Sequence, residues 1–207
     1  MDFLSASFVR ILRWGALVLC LILPGFYIAL TTFHQQMIPL ALLRSMIESR
    51  ESVPFSTAGE VAGLLLAFEL LQEAGIHLPQ SVGQSVSIIG GIVVGTAAVE
   101  ASLVSPAALI VVSLAGICGF SLPSRDFAQA IRLCRLGLVV LSAAAGLFGT
   151  SVGILLLLIH LSGLSSMGVP YLAPFSRMGE PEFLRPRLIR SKVRPVRLHP
   201  RDRRNQK

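Results

Sequence analysis

This sequence is short of charge. Only 14% of its 207 residues are Asp, Glu, Lys or Arg, against about 25% in an ordinary soluble domain, and 53% are hydrophobic. A chain so apolar is neither disordered nor collagen-like, and its mean hydropathy of +0.73 reads as membrane-embedded. Cysteine is scarce as well, which excludes a disulfide scaffold. The three that occur, Cys20, Cys118 and Cys134, lie in or beside apolar runs and read as small buried hydrophobes. Signatures of chemistry are missing. The histidines (His34, His77, His160, His199) are far apart, no CxxC or HxxxH spacing occurs, and no glycine-rich phosphate loop is followed by Lys. We therefore expect no enzyme, no metal site and no cofactor.

The charge that is present is unevenly placed. Residues 177–207 hold eleven Lys/Arg and three Asp/Glu, whereas residues 1–176 hold seven and eight, so the high isoelectric point belongs to the tail. That tail, residues 176–207, has no apolar periodicity and is expected to be cytoplasmic and disordered, or ordered only on binding. Its arginines suit anionic membrane lipids, and with no aromatic residue after Phe183 to stack on bases, no nucleic-acid role is expected.

Long uncharged stretches organise the rest. A bilayer core about 30 Å thick takes roughly 20 residues of apolar helix, and four runs qualify: about 14–33, 82–103, 106–122 and 136–160. Residues 1–13 form a cytoplasmic lead-in, and 14–175 a membrane domain. In the first run Pro24 frees the carbonyl of Cys20, and with Gly25 it marks a candidate kink. Ser105-Pro106 reads as an N-cap and first helical residue, dividing a tight helical hairpin from one helix of forty. The run 136–160, with 14 Leu, Ile, Val or Phe residues, is the strongest span. Two further helices are amphipathic or re-entrant. Residues 39–50 place Arg44 and Glu48 opposite Leu43, Met46 and Ile47, and residues 55–74, started by Pro54, carry Glu60, Glu69 and Glu73. Arg10 and Arg13 place the N-terminus inside, and the basic tail does the same for the C-terminus. The expected fold is thus all-α, a polytopic membrane bundle of about four spans, with the arginine-bearing loop 123–135 left outside.

Candidate functional residues follow from helical periodicity. Gln84, Ser87, Gly91, Gly95, Ala98 and Ser102 share one face of the second span, a stripe that serves either close helix packing or an ion path; Gly149 and Gly153 repeat the GxxxG spacing. Glu60, Glu69 and Glu100 are ionisable groups at membrane depth, each costly unless paired or hydrated. Glu60 and Glu69 lie nine residues apart and face opposite sides of their helix.

Several strings carry a resemblance. Leu23-Pro24-Gly25-Phe26-Tyr27 through Gln36-Met37-Ile38-Pro39, Val53-Pro54-Phe55, Phe68-Glu69-Leu70-Leu71-Gln72-Glu73-Ala74-Gly75, Gly83-Gln84-Ser85-Val86-Ser87-Ile88 through Val104-Ser105-Pro106-Ala107, and Gly168-Val169-Pro170-Tyr171-Leu172-Ala173-Pro174 occur in order. The chain thereby resembles the A subunit of the GerA family of bacterial spore germination proteins. The resemblance implies an integral membrane subunit of a nutrient germinant receptor in the inner spore membrane. It also implies B and C subunits as partners, and a homo-oligomer that conducts ions. A non-conducting scaffold subunit is the alternative. Family members carry a large hydrophilic domain ahead of the first span, whereas this chain starts at Met1 close to it, so a truncated, inactive A subunit is a further reading. Thr96 stands where the family often has an acidic or amide residue.

Overall fold

The computed structural model describes residues 3–76, 90–91, 93–166 and 169–170. Its elements are α1 (Phe3–Phe33), a 3₁₀ turn (Gln35–Met37), α2 (Leu40–Arg50), α3 (Thr57–Ile76), α4 (93–100, with Gly90 and Gly91 also helical), α5 (Pro106–Phe120) and α6 (Arg125–Gly163). Beyond α6, among the described residues, Ser165–Ser166 and Val169–Pro170 pair as a two-residue antiparallel ladder. The protein is all-helical in its described body. By length and composition, Ser7–Phe33 and Asp126–Gly163 are long and apolar enough to cross a membrane, while Pro106–Phe120 is shorter.

Local chemistry explains most boundaries. Ser105, in extended conformation, accepts a hydrogen bond from Ala108 N at 3.3 Å, and Pro106 takes the first helical position, as its fixed φ favours. The helix of 55–74 starts later than Pro54 implies, because Ser56 is the cap: its Oγ accepts from Gly59 N at 3.3 Å. The α4–α5 turn closes when Leu103 N donates to Ala98 O at 2.9 Å. That turn holds Ser102 at φ 55°, a left-handed backbone conformation uncommon for a side chain other than Gly.

Two expectations need correction here. Residues 125–135 are helix, not loop. Ser124 caps them by accepting from Phe127 N, and Phe127, Ile131 and Leu138 form an apolar stripe that packs on Ala16, Cys20 and Leu21 of α1. The run 136–160 is not one straight helix either. Gly146, at φ 62° and ψ −139°, reverses the chain, so that α6 is two arms, 125–145 and 147–163. The arms lie side by side: Ser142 Oγ and Thr150 Oγ1 are 2.8 Å apart, and a Cβ on Gly153 would stand 2.4 Å from Leu138 Cδ2. In a single straight helix residues 8 apart would be about 12 Å apart.

These contacts fix helix directions. Cys20 meets Arg135, Gly25 meets Ser142, and Phe33 meets Gly146, so α1 and the first arm of α6 run parallel. Tyr27 and Ile28 pack with Val61 and Ala108, while Cys20 packs with Cys118, so α3 and α5 run opposite to α1. Gly90 faces Leu71, Gly91 faces Phe68 and Gly95 faces Leu109, which sets α4 antiparallel to both α3 and α5.

Candidate functional site

Glu60 and Glu69 of α3 end up in separate ionic sites, as their spacing demands. Glu60 is fully buried near one end of the bundle. Its Oε1 accepts a hydrogen bond from Ser105 N, and its Oε2 lies 3.9 Å from Arg50 Nε. The carboxylate therefore sits at the N-terminus of α5, where unsatisfied backbone amides and the helix dipole favour negative charge. Arg50 Nη1 also donates to Thr57 Oγ1, which fastens the end of α2 to the start of α3. Arg50 further lines an open cleft of about 430 Å³ with Thr31, Gln35, Leu43, Met46 and Ile47. The hydroxyl of Tyr27, nearby in the same packed cluster, is buried with no hydrogen-bond partner among the described residues.

Glu69 lies two and a half turns away and meets α6. Its Oε1 accepts from Arg135 Nη2 at 2.5 Å, and its Oε2 is 3.3 Å from Arg132 Nη1. Arg135 is the unusual member. Its side chain is 3% exposed, and Nη1 has a weak contact with Cys20 Sγ at 3.8 Å. Buried arginines in apolar surroundings persist only when paired, and Glu69 supplies the pair.

The small-residue face divides on inspection. Gly91 and Gly95 are buried against their own chain: a Cβ would stand 2.8 Å from Phe68 Cε1 at Gly91 and 2.5 Å from Leu109 Cδ1 at Gly95. Phe68 fills the gap between Gly91 of α4 and Gly116 of α5. Gln84 and Ser87 lie outside the described residues. Ser102 belongs to the turn after α4. The opposite face of α4 is the free one, with Val93, Thr96 and Glu100 exposed at helical spacing. Pro24 is buried inside a continuous α1, and Gly25 is the point where the first arm of α6 crosses, Ser142 Oγ lying 2.6 Å from where its Cβ would be.

Sequence reasoning missed Arg50, Arg132, Arg135, Ser142, Thr150 and Gly146. A signal existed for the arginines of α6. Phe127, Ile131, Cys134 and Leu138 recur at i, i+4, i+7 and i+11, a helical stripe that three arginines obscured as an interruption of an apolar run. For Gly146 the sequence offers only one glycine among several in an apolar run. No group of three or more His, Cys, Asp or Glu could hold a metal ion among the described residues.

Comparison with known proteins bears directly on this architecture. The family model for the Bacillus/Clostridium GerA spore germination protein matches residues 1–201. Spore germination protein KA of Bacillus subtilis is 45% identical over 177 residues, covering 84% of this chain and 32% of that protein. The membrane protein YfkQ of the same organism is 42% identical over 84% of this chain and 35% of its own length. Spore germination protein XA of Bacillus anthracis is 35% identical over 97% of this chain and 42% of that protein. The chain thus spans about a third to two fifths of the length of these relatives. No solved structure matches.

Proposed function

The chain belongs to the GerA family of spore germination proteins, and from that membership we propose that it forms the membrane part of a nutrient germinant-receptor A subunit. In this reading it sits in the inner spore membrane with receptor B and C subunits, as a homo-oligomer that opens an ion path when the nutrient is sensed. The basic tail rests on anionic lipid. The match over residues 1–201 is the observation that carries the germination role. A scaffold subunit that conducts nothing is the second reading, favoured by the closure of Gly91 and Gly95 within the chain.

Bundle polarity supports a membrane topology of six transits. Arg10, Arg13, Arg125, Arg132 and Arg135 gather at one end against Glu69, Glu73 and Asp126, whereas the other end has Arg44 and Arg50 against Glu48, Glu51, Glu60 and Glu100. With the basic end inside, α1 leads out, α3 returns, α4 leads out, α5 returns, and the two arms of α6 lead out and back. The reversal at Gly146 reconciles an inside position for the arginines of 125–135 with an inside position for the tail. Single cysteines labelled with a membrane-impermeant maleimide test this order. Substitutions at Arg13 and Ala130 are expected to react only from the cytoplasmic side, and one at Met37 only from the opposite side; labelling of residue 130 from outside overturns the topology.

An ion path is best sought on the exposed face of α4. Thr96 and Glu100 stand one turn apart there, and a ring of such groups from several copies would hydrate a passing cation. Glu100→Gln is therefore expected to lower cation release from germinating spores severalfold at normal membrane abundance. Gly91→Leu, which drives bulk into Phe68, is expected to lower abundance and release together. Normal release from Glu100→Gln spores would leave the scaffold reading standing.

A further inference from the structure

The cluster around Arg135 is one negative charge short. Among the described residues Glu69 is the single carboxylate in contact with the two guanidiniums, and one of these is almost wholly buried. Within the described residues Arg135 Nε has no hydrogen-bond partner, and neither has Gln72 Oε1, a buried acceptor one turn along α3 on the face of Glu69. Among the described residues no other carboxylate is placed to close the balance. Glu73 is exposed and has no contact to the cluster, Asp126 lies two and a half turns before Arg135, and residues 77–89, which follow α3, contain no Asp or Glu. A net positive charge held in apolar surroundings costs several kcal/mol unless an anion joins it.

We propose that this cluster is a phosphate-binding site, filled by the headgroup of an anionic lipid. Arg132 forms its mouth. The Arg132 side chain is 22% exposed, and Leu133 beside it is 73% exposed, so the pair opens on an apolar outer surface where acyl chains lie. By the register of α1 and α6, Arg132 stands about one turn deeper than Arg13, which is within the reach of an arginine side chain directed toward the headgroup layer. Two planar guanidiniums suit a phosphodiester, which accepts several charge-assisted hydrogen bonds at once. The site is distinct from the tail and rests on the membrane reading of the chain, not on its role in germination.

The test uses the full chain in a neutral detergent, with lipid retention counted by native mass spectrometry and unfolding followed by thermal scan. Equal amounts of phosphatidylglycerol and phosphatidylcholine are offered. A third arm offers inorganic phosphate against chloride at matched ionic strength. The wild-type chain is expected to retain phosphatidylglycerol over phosphatidylcholine by about tenfold, which corresponds to about 1.4 kcal/mol. Arg132→Gln leaves the Glu69–Arg135 pair neutral and intact, and is expected to lower the preference severalfold, to what the basic tail alone supplies, at unchanged helix content. Arg13→Gln, an exposed arginine at the same end, is expected to retain the preference. Equal preference in wild type and Arg132→Gln overturns the site, as does the absence of any preference. Inorganic phosphate that raises the unfolding midpoint as far as phosphatidylglycerol, in an Arg132-dependent way, overturns the lipid as source and assigns the pocket to a free anion.

Discussion

Glu69→Ala is expected to destabilise the chain by about 3–5 kcal/mol, among the largest effects of any single side-chain truncation in the bundle. The reason is what remains. Arg135 keeps its charge with 3% of its side chain exposed, and no other carboxylate among the described residues lies within ion-pair distance. Replacing both partners by apolar residues of similar size, Glu69→Leu with Arg135→Met, removes the stranded charge and is expected to recover most of the loss, since apolar substitutes for a buried ion pair are often neutral or better. Arg132 can then turn to water, being 22% exposed. A double-mutant cycle on these positions, read by denaturant unfolding in detergent micelles, should return a coupling of at least about 2 kcal/mol. Additive single effects would mean that α3 and α6 are held by packing and that the ion pair adds nothing.

The second large effect lies in the α6 hairpin. Gly149→Ala would put a methyl group 2.0 Å from the carbonyl oxygen of Leu141, a backbone atom that cannot move aside, so the arms must separate. Gly146→Ala would force a Cβ into φ 62° and ψ −139°, a region that only glycine enters readily, and against Phe33 at 2.9 Å. Each substitution is expected to remove most of the protein from the membrane fraction, with a loss of about 3 kcal/mol or more. Gly137→Ala on the first arm is the control. Nothing lies within 4 Å of its added methyl group, so helix propensity alone acts and stability should rise by about 0.5–1 kcal/mol. Normal abundance of both Gly146→Ala and Gly149→Ala would contradict the reversal and return α6 to a single rod.

The separation of Glu60 from Glu69 was legible because helical spacing fixes which residues can share a face, and nine residues place two carboxylates on opposite sides. Their partners were not legible. Arg135 is 66 residues from Glu69 and Ser105 is 45 from Glu60, and only chain folding brings them together. Periodicity identified Gly91 and Gly95 as a face that accepts close approach, but the occupants, Phe68 and Leu109, come from α3 and α5. The Ser105 cap was legible for the opposite reason. Its hydrogen bond reaches only three residues along the chain, and proline fixes the next φ whatever surrounds it.

By itself the sequence determined that this chain is apolar and helical, since apolar content and helix caps act locally and survive any arrangement of the helices, and its quoted strings carry the GerA family. Tertiary structure decided how those helices are used. The most apolar run bends back at Gly146, where an added Cβ would stand 2.9 Å from Phe33, a constraint that exists only once α1 and α6 lie side by side. Arg135 becomes a buried ion-pair partner for the same reason: a guanidinium in an apolar setting is tolerable only where a carboxylate from another helix already stands, and Glu69 reaches that place through packing, not through sequence proximity.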